Sequence, residues 1–468
     1  MASLARSLHS DFLDQPLHLE FHFFLSPAFP LSLFFTVSIS SNPSISSQMS
    51  VIVPTSNDLQ KEAQLAVQAV LRACHITHKV QSAIKKDDTE TKVDKSPVTV
   101  ADYASQALLA HLLSIHFPSD PLIGEEDTTS LRSDSAQSAS MRESITNLVN
   151  EALALESDQV GQKLDALSED KVLEAIDRGN SEGGKQGRWW TCDPIDGTLG
   201  FLRGEQYAVC LTLVSESKPI LGLIGCPNLP YPSIASPTSK GSLFLATASH
   251  GSFQRSLTLP LAPSPSAAEQ AFQPISLSAP IPGASEESKP KILESVEAGH
   301  SSHSINESIA DLVGLGEHVR MDSQAKYGAL ARGDGQVYLR VPTAYSGGKK
   351  YVEKVWDHAS GWLLVKEAGG WVGDIWGRDL DFGVGRTLKE NDGVIATASS
   401  LKELVLSSVR KAVTQANPDV EPPKEAQQAA IIEDAVADEI KEAEQAGEGI
   451  EKGEDGVVIG EEVARPTS

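Results

Sequence analysis

Hydrophobic and polar positions follow two different periods along the chain. Between Leu59 and Leu71 the apolar residues recur every three or four positions, which predicts an amphipathic helix beginning near Asn57. Residues 207–214 (YAVCLTLV) are almost continuously apolar, which is typical of a buried strand. The run VYLRV at 337–341 predicts a second strand of this kind. The chain is therefore expected to contain both amphipathic helices and buried strands.

Three segments depart from these periods. Residues 1–48 contain an apolar run that two prolines divide into pieces too short to span a bilayer as one helix. Acidic residues precede that run, so the segment fits a signal peptide or a mitochondrial presequence poorly, and Met49 is an alternative start. Residues 260–290 are rich in Pro, Ser and Ala and predict a mobile surface loop. Residues 412–468 predict an acidic, largely disordered tail.

Composition limits the class of partner. The 468 residues carry a formal net charge of −24, and about half of it lies in the last 50 residues. A chain this acidic lacks the basic face of a general nucleic-acid binder, although a small anionic ligand is compatible with it. The four cysteines form no CxxC pair, which argues against a zinc site and favours a reducing compartment.

The most informative stretch is 190–198 (WTCDPIDGT), in which two aspartates stand three positions apart. Pro194 stiffens the turn, and Gly197 permits a close or left-handed backbone approach. If a strand ends at Asp193, its carboxylate and that of Asp196 converge on one point, as the ligands of a hard cation such as Mg²⁺ do. The same residues also suit an Asx-type turn without a metal, and the sequence leaves both interpretations open.

Three further carboxylates can likewise be interpreted either as metal ligands or as residues without a metal. Asp102 precedes a helix predicted over Tyr103–Phe117, and Asp357 precedes one over Trp362–Ala368. An acidic residue at such a position can simply cap its helix. Glu125 begins a run of three carboxylates after a short apolar strand. A cation would relieve the repulsion among them, and so would exposure to solvent.

The order and spacing of four motifs resemble the inositol monophosphatase superfamily of Mg²⁺-dependent, Li⁺-inhibited phosphatases: DYASQ, GEE, DPIDGT and WDHASG. The resemblance runs from about residue 56 to about residue 411. Within the superfamily, GHSSH and DSQAKY are similar to the fungal and plant 3′(2′),5′-bisphosphate nucleotidases. That group removes the 3′-phosphate of 3′-phosphoadenosine 5′-phosphate, and often of 3′-phosphoadenylyl sulfate, in sulfate assimilation.

The resemblance implies two or three Mg²⁺ ions and assigns roles to individual residues. The implied metal ligands are Glu125, Asp193 and the carbonyl of Ile195 for one ion, and Asp193, Asp196 and Asp357 for a second. Asp102 and Thr198 resemble the pair that activates the attacking water. A Thr hydroxyl is a poor base, so Asp102 is expected to accept the proton that Thr198 relays.

The implied substrate contacts lie mostly in the C-terminal half, and they are Thr198, His300, Ser323, Lys326, Arg340 and Asp357. A cation at Arg340 suits a second phosphate. Without the resemblance, the sequence favours simpler interpretations: an exposed strand residue for Arg340, a surface lysine for Lys326 and a loop histidine for His300. At Leu199 the sequence departs from the family pattern, in which a lysine is usual.

The fold implied by the resemblance is α/β, a layered αβαβα sandwich. Its expected parts are an N-terminal α+β metal-binding domain over 49–235 and a C-terminal α/β nucleotide-binding domain over 236–411. The expected protein is a cytoplasmic monomer that binds neither nucleic acid nor membrane, or a mitochondrial one if residues 1–48 are a presequence. The alternatives are an inositol (poly)phosphate phosphatase and a catalytically silent nucleotide sensor or scaffold.

Overall fold

The computed structural model describes residues 53–84, 96–261, 271–279, 289–297, 301–347, 351–420 and 422–424. The predicted N-terminal extension, nearly all of the predicted acidic tail and His300 lie outside these residues. The helices are α1 (Gln60–Ile84), α2 (Ser96–His116), α3 (Ala136–Leu153), α4 (Glu169–Asp177), α5 (Thr198–Arg203), α6 (His303–Val313), α7 (Ala325–Ala331), α8 (Ala359–Glu367) and α9 (Lys402–Ala416). The strands are β1 (Leu122–Gly124), β2 (Arg188–Asp196), β3 (Ala208–Ser215), β4 (Lys218–Tyr231), β5 (Ser239–Thr247), β6 (Gly251–Ser256), β7 (Gln273–Ile275), β8 (Ile292–Glu294), β9 (His318–Arg320), β10 (Val337–Arg340), β11 (Gly370–Gly373) and β12 (Val394–Ala398).

Two sheets alternate with layers of helices. The larger sheet has the order β1-β2-β3-β4-β5-β6-β7, and the smaller has the order β11-β12-β10-β8-β9. Helices α1 and α2 cover one face of the larger sheet, and α8 packs between the two sheets. Helices α6 and α9 pack with residues of the far face of the smaller sheet. The prediction of a layered αβαβα architecture is therefore confirmed.

Alternation along single strands builds these layers. In β3, Val209 and Leu211 belong to the core shared with α1 and α2, whereas Ala208 and Cys210 belong to the core shared with α8. A strand buried on both faces needs apolar residues at every position. This explains the continuous apolar run from Tyr207, and the strand predicted there is confirmed.

Two local predictions differ from the structure. The helix expected to begin at Tyr103 begins at Ser96, because Pro97 is tolerated in a first helical turn. Asp102 is therefore not a cap but an interior residue of α2. The expected mobile loop at 260–290 contains β7, which pairs antiparallel with β6 as the last strand of the larger sheet.

Two predicted boundaries do not coincide with a division in the structure. The boundary between 235 and 236 lies between β4 and β5, which are neighbouring strands of one sheet. The tail predicted from residue 412 begins within α9, which continues to Ala416. The division into two domains otherwise stays a prediction. None of the helices in the described ranges is long and apolar enough to cross a membrane.

Candidate active site

A β-bulge near the end of β2 brings two aspartates to the same side of the larger sheet. Asp193 pairs with Cys210 and Asp196 with Ala208, so β2 has one residue more than β3 over this interval. In a regular strand, residues three apart point to opposite faces. The extra residue cancels that offset, and Pro194, which cannot donate to the ladder, is suited to a bulge. Both carboxylates consequently line one cavity.

Gly197 then turns the chain into the short helix α5. Its φ of 87° is left-handed, and a Cβ at this position would lie 2.9 Å from the Cβ of Ser323. A larger residue is therefore excluded by both conformation and space. Ser323 is itself left-handed, with φ of 68°, a strained conformation of a kind that clusters at functional sites.

The cavity at this point has a volume of about 200 Å³. Nine of the eleven residues predicted for the site line it: Glu125, Asp193, Ile195, Asp196, Thr198, Ser323, Lys326, Arg340 and Asp357. Asp102 is buried but does not line it, and His300 lies outside the described residues. The structure thus assembles one cavity from β1, the β2–α5 turn, α7, β10 and the turn before α8.

The carboxylates of the cavity lie in surroundings that oppose their ionisation. Burial, followed by the charges of Glu125 and Asp196, raises the pKa of Asp193 well above its ordinary value. Burial, followed by Glu126 and then Glu125, likewise raises the pKa of Asp102. Glu125 is exposed as a whole residue, yet desolvation of its carboxyl raises its pKa to about 7, with repulsion from Glu126 as the next cause.

These carboxylates fit a divalent cation better than the alternatives left open by the sequence. Among the described residues, neither Oδ1 of Asp193 nor Oδ1 of Asp102 has a hydrogen-bond partner, although both atoms are buried. An Asx-type turn would give Oδ1 of Asp193 a hydrogen-bond partner. Asp102 is not a cap, because α2 begins well before it, at Ser96. Asp357 is not a cap either, because His358 holds that position at α8. Six carboxylates and two cations line the cavity, an imbalance that bound cations would offset.

Two cationic side chains, Lys326 and Arg340, also line the cavity. Lys326 is only 3% exposed, and its Nζ donates to the carbonyl of Met321 at 3.1 Å. This burial excludes the alternative of a surface lysine, and it lowers the pKa of Lys326 to about 8. The Nη2 atom of Arg340 lies 4.0 Å from Oδ2 of Asp357. Below, Glu125, Asp193, Asp196 and Asp357 are called the carboxylate wall of the cavity, and Lys326 and Arg340 its cationic wall.

Three residues that the sequence analysis did not single out hold this wall in place. Glu353 accepts from Nε of Arg340 at 2.8 Å and from Nε2 of His358 at 2.9 Å. Nδ1 of His358 in turn accepts from the hydroxyl of Tyr327 at 2.8 Å, which fixes the neutral ring with its proton on Nε2. Glu353, Asp357 and His358 lie close enough together to hold a metal. However, Arg340 and His358 already satisfy Glu353, so an ion-pair network explains this cluster.

Arg386 connects two distant parts of the site. Its Nη2 donates to the carbonyl of Gly124 at 2.5 Å, directly before Glu125. Its guanidinium also stacks over the ring of Trp356, directly before Asp357, with the centroid at 5.0 Å. Arg386 lies more than 260 positions from Gly124 in the sequence, so no local pattern could have identified it.

Sequence comparison identifies the family of this chain. A profile described as the inositol monophosphatase family matches residues 57–414. The chain belongs to the inositol monophosphatase family. It is 44% identical to the 3′(2′),5′-bisphosphate nucleotidase of Schizosaccharomyces pombe over 76% of this chain and 97% of the relative. It is also 42% identical to that of Emericella nidulans, over 75% of this chain and 98% of the relative.

Relatives of this family extend beyond fungi and include solved structures. A 3′(2′),5′-bisphosphate nucleotidase of Oryza sativa is 41% identical over 78% of this chain and 98% of its own length. The inositol monophosphatase from Anabaena has a TM-score of 0.43 at 17% identity, covering 78% of this chain and 98% of that structure. The resemblance drawn from the motifs is confirmed by the sequence relatives. The chain is accordingly an enzyme, a phosphatase of a metal-dependent family.

Proposed function

We propose that this protein is a Mg²⁺-dependent, Li⁺-inhibited 3′(2′),5′-bisphosphate nucleotidase that acts in sulfate assimilation. Its substrate would be 3′-phosphoadenosine 5′-phosphate, which yields AMP and phosphate, with 3′-phosphoadenylyl sulfate as a second substrate. The observation that carries this proposal is that four motif carboxylates and two buried cations, Lys326 and Arg340, line the same cavity. A substrate with two phosphates can place one on each wall.

The carboxylate wall would hold two or three Mg²⁺ ions through Glu125, Asp193, the carbonyl of Ile195, Asp196 and Asp357. Bound there, the ions would offset the charge of the substrate phosphate and of the leaving oxygen. Asp196 is held in place from the other half of the chain, because its Oδ2 accepts from the main-chain N–H of Gln324.

Asp102 and Thr198 would handle the proton. Thr198 lies at the start of α5 on the cavity wall, where its hydroxyl can orient a water for attack on phosphorus. The hydroxyl would take the proton of that water and pass its own to Asp102. The raised pKa of Asp102 makes it a better proton acceptor than an ordinary aspartate once it is ionised.

Lys326, Arg340 and Ser323 would hold the second phosphate and the rest of the nucleotide, together with His300. Lys326 and Arg340 are fixed on rigid elements, α7 and β10, so their charges are in place before the ligand binds. A bisphosphate is therefore favoured over a monophosphate at this site. Leu199 also lines the cavity and is 41% exposed, but it is not one of the proposed metal or substrate ligands.

A phosphate-release assay with Mg²⁺ tests the proposal. We expect turnover of 3′-phosphoadenosine 5′-phosphate and inhibition by Li⁺, with an Asp196→Asn variant as the inactive control. Preference for inositol 1-phosphate or inositol 1,4-bisphosphate would favour the inositol phosphate alternative. Tight nucleotide binding by the wild type without phosphate release would favour the silent sensor.

We also propose that the protein is a cytoplasmic monomer without nucleic-acid or membrane partners. Residues 1–48 leave a mitochondrial location as the alternative. Light scattering coupled to gel filtration tests the oligomeric state. Imaging of the full chain and of a chain beginning at Met49, each with a C-terminal fluorescent tag, tests the location.

A further inference from the structure

The carboxylate of Glu353 contacts the cationic wall from behind. Glu353 is 6% exposed, lies outside the residues that line the cavity, and is 13 positions from Arg340 in the sequence. Nε of Arg340 lies 2.8 Å from both of its carboxylate oxygens, and Nε2 of His358 lies 2.9 Å from Oε2. Such a carboxylate cannot reach the substrate, but it can determine where Arg340 lies.

The surroundings of Arg340 explain why such an anchor is needed. The cavity has three times as many carboxylates as cations, and Asp357 is already within 4.0 Å of Nη2 of Arg340. A guanidinium without an anchor would move towards Asp357 and form an ion pair with it, leaving the wall where a phosphate is expected. The bond from Nε to Glu353 holds the opposite end of the guanidinium and prevents this movement.

Glu353 is in turn held from several sides. Its main-chain carbonyl accepts from the N–H of Leu388 at 2.8 Å, and the next residue, Lys354, forms a β-bridge with Thr387. His358 fixes the second carboxylate oxygen and is fixed itself by Tyr327, a residue of α7 that lines the cavity. The anchor is therefore rigid, which is what a residue that orients another one requires.

We propose that Glu353 is a positioning residue that fixes Arg340 on the cavity wall and thereby sets the preference of the enzyme for substrates with a second phosphate. This inference rests on the proposed function, because Arg340 is assigned there to the second phosphate. The inference can be tested separately from that function. The preference for a two-phosphate over a one-phosphate substrate can be measured whether the substrate is a nucleotide or an inositol phosphate.

Glu294 provides a matched control. It is also a buried glutamate that binds an arginine and a histidine, with Arg320 Nε at 2.8 Å and His318 Nδ1 at 3.1 Å. Glu294 does not line the cavity. The residues described as hydrogen-bonded to its side chain do not line the cavity either. Glu294→Gln should therefore affect folding stability in the same way as Glu353→Gln without changing selectivity.

The experiment compares kcat/KM for a two-phosphate and a one-phosphate substrate in two pairs: 3′-phosphoadenosine 5′-phosphate with adenosine 3′-phosphate, and inositol 1,4-bisphosphate with inositol 1-phosphate. In Glu353→Gln we expect the ratio of the two values to fall about tenfold or more, since a charged hydrogen bond to phosphate is at stake. In Glu294→Gln the ratio should equal that of the wild type. Damage to the carboxylate wall would lower both values and cancel in the ratio.

Further variants keep the inference testable. Arg340→Lys alone and Arg340→Lys with Glu353→Gln should lose the same selectivity, because both residues act through one guanidinium. If Glu353→Gln does not fold, Glu353→Asp keeps the charge but withdraws the carboxylate by one carbon, and its ratio should fall as well. An unchanged ratio in the folded Glu353 variant, or an equal fall in Glu294→Gln, overturns the inference.

A failure of the proposed function can be distinguished from a failure of the inference about Glu353. If the wild type prefers the inositol pair, the proposed nucleotidase function is wrong. The ratio of kcat/KM values for two-phosphate and one-phosphate substrates is then measured with the inositol pair. If the wild type releases phosphate from neither pair, the ratio of dissociation constants from calorimetry is used instead. If the wild type shows no preference for two phosphates in either pair, the positioning role of Glu353 is wrong.

Discussion

Asp193 is held in surroundings that favour its neutral form. It is 2% exposed, and its Oδ1 has no partner among the described residues; burial, followed by the charges of neighbouring carboxylates, raises its pKa. A carboxyl whose pKa is raised on folding stabilises the protein at low pH and loses that contribution as the pH rises through its folded value. Without bound cations, ionised Asp193 therefore destabilises the fold at neutral pH.

Asp193→Asn should separate activity from stability. At neutral pH with a chelator present, we expect the free energy of unfolding to rise by about 1 kcal/mol, as is common when a strained functional group is neutralised. Turnover with Mg²⁺ should fall by about 10²-fold or more. Urea unfolding and a phosphate-release assay measure the two effects.

Asp374→Asn is the matched control for that prediction. Asp374 is completely buried, but it accepts hydrogen bonds from the main-chain N–H groups of Trp376 and Arg378 and pairs with the Arg378 side chain. Its replacement should lower stability. A fall in stability for Asp193→Asn of the same size would contradict the account given above.

Leu199 is the one departure from the family pattern that lies on the cavity. Leu199→Lys adds a cation to a wall open to solvent, so stability should change by less than about 0.5 kcal/mol. The KM for the anionic substrate should fall by a factor of about two to five, the range of an exposed charge interaction. Leu404→Lys, a similarly exposed leucine on α9, should leave KM unchanged. A rise in KM for Leu199→Lys would show that the added cation displaces Mg²⁺ instead.

Connections between elements decide how the two halves of the carboxylate wall meet. Arg386 donates to the carbonyls of Gly124, Gly179 and Ser181 and packs on Trp356. It thereby ties the end of β1, which precedes Glu125, to the turn that carries Asp357. The distance between these two proposed ligands depends on this arginine rather than on either motif.

Arg386→Lys should weaken this connection, because a lysine cannot reach three carbonyls with a planar fork. We expect the free energy of unfolding to fall by about 1–3 kcal/mol, since partly buried hydrogen bonds to these carbonyls are lost. The Mg²⁺ concentration for half-maximal activity should rise several-fold. Arg378→Lys, which disturbs the ion pair with Asp374 away from the cavity, should lower stability alone. An unchanged Mg²⁺ requirement in Arg386→Lys would rule out its role at the carboxylate wall.

On the scale of the whole molecule, the described core ends well inside the chain. Its first buried residue is Val53, and the last helix, α9, ends at Ala416 with Val420 packed nearby. The family profile covers nearly the same span, 57–414. Much of the net charge of −24 lies beyond this span.

A chain of residues 49–420 should therefore keep the fold and the activity. We expect its kcat/KM to agree with that of the full chain within about twofold, and its unfolding temperature to be unchanged, because no described buried contact is removed. Parallel assays and thermal unfolding of both chains test this. A large loss of kcat/KM at unchanged stability would assign a catalytic role to one of the removed ends.

The sequence alone determined which carboxylates are available and in what order, because a motif is a local property of the chain. DPIDGT, GEE and WDHASG identified residues that do line one cavity. The apolar run beginning at Tyr207 likewise revealed a strand buried on both faces. In each case the information lay within a few residues of the feature it predicted.

Tertiary structure alone decided how those residues are held. The bulge that turns Asp193 and Asp196 to one side requires pairing with β3. The burial of Lys326, the anchoring of Arg340 by Glu353 and the connection through Arg386 join residues that lie far apart in sequence or on different elements. Local periodicity reports on neighbours within one turn or one strand, whereas such contacts depend on how the layers pack.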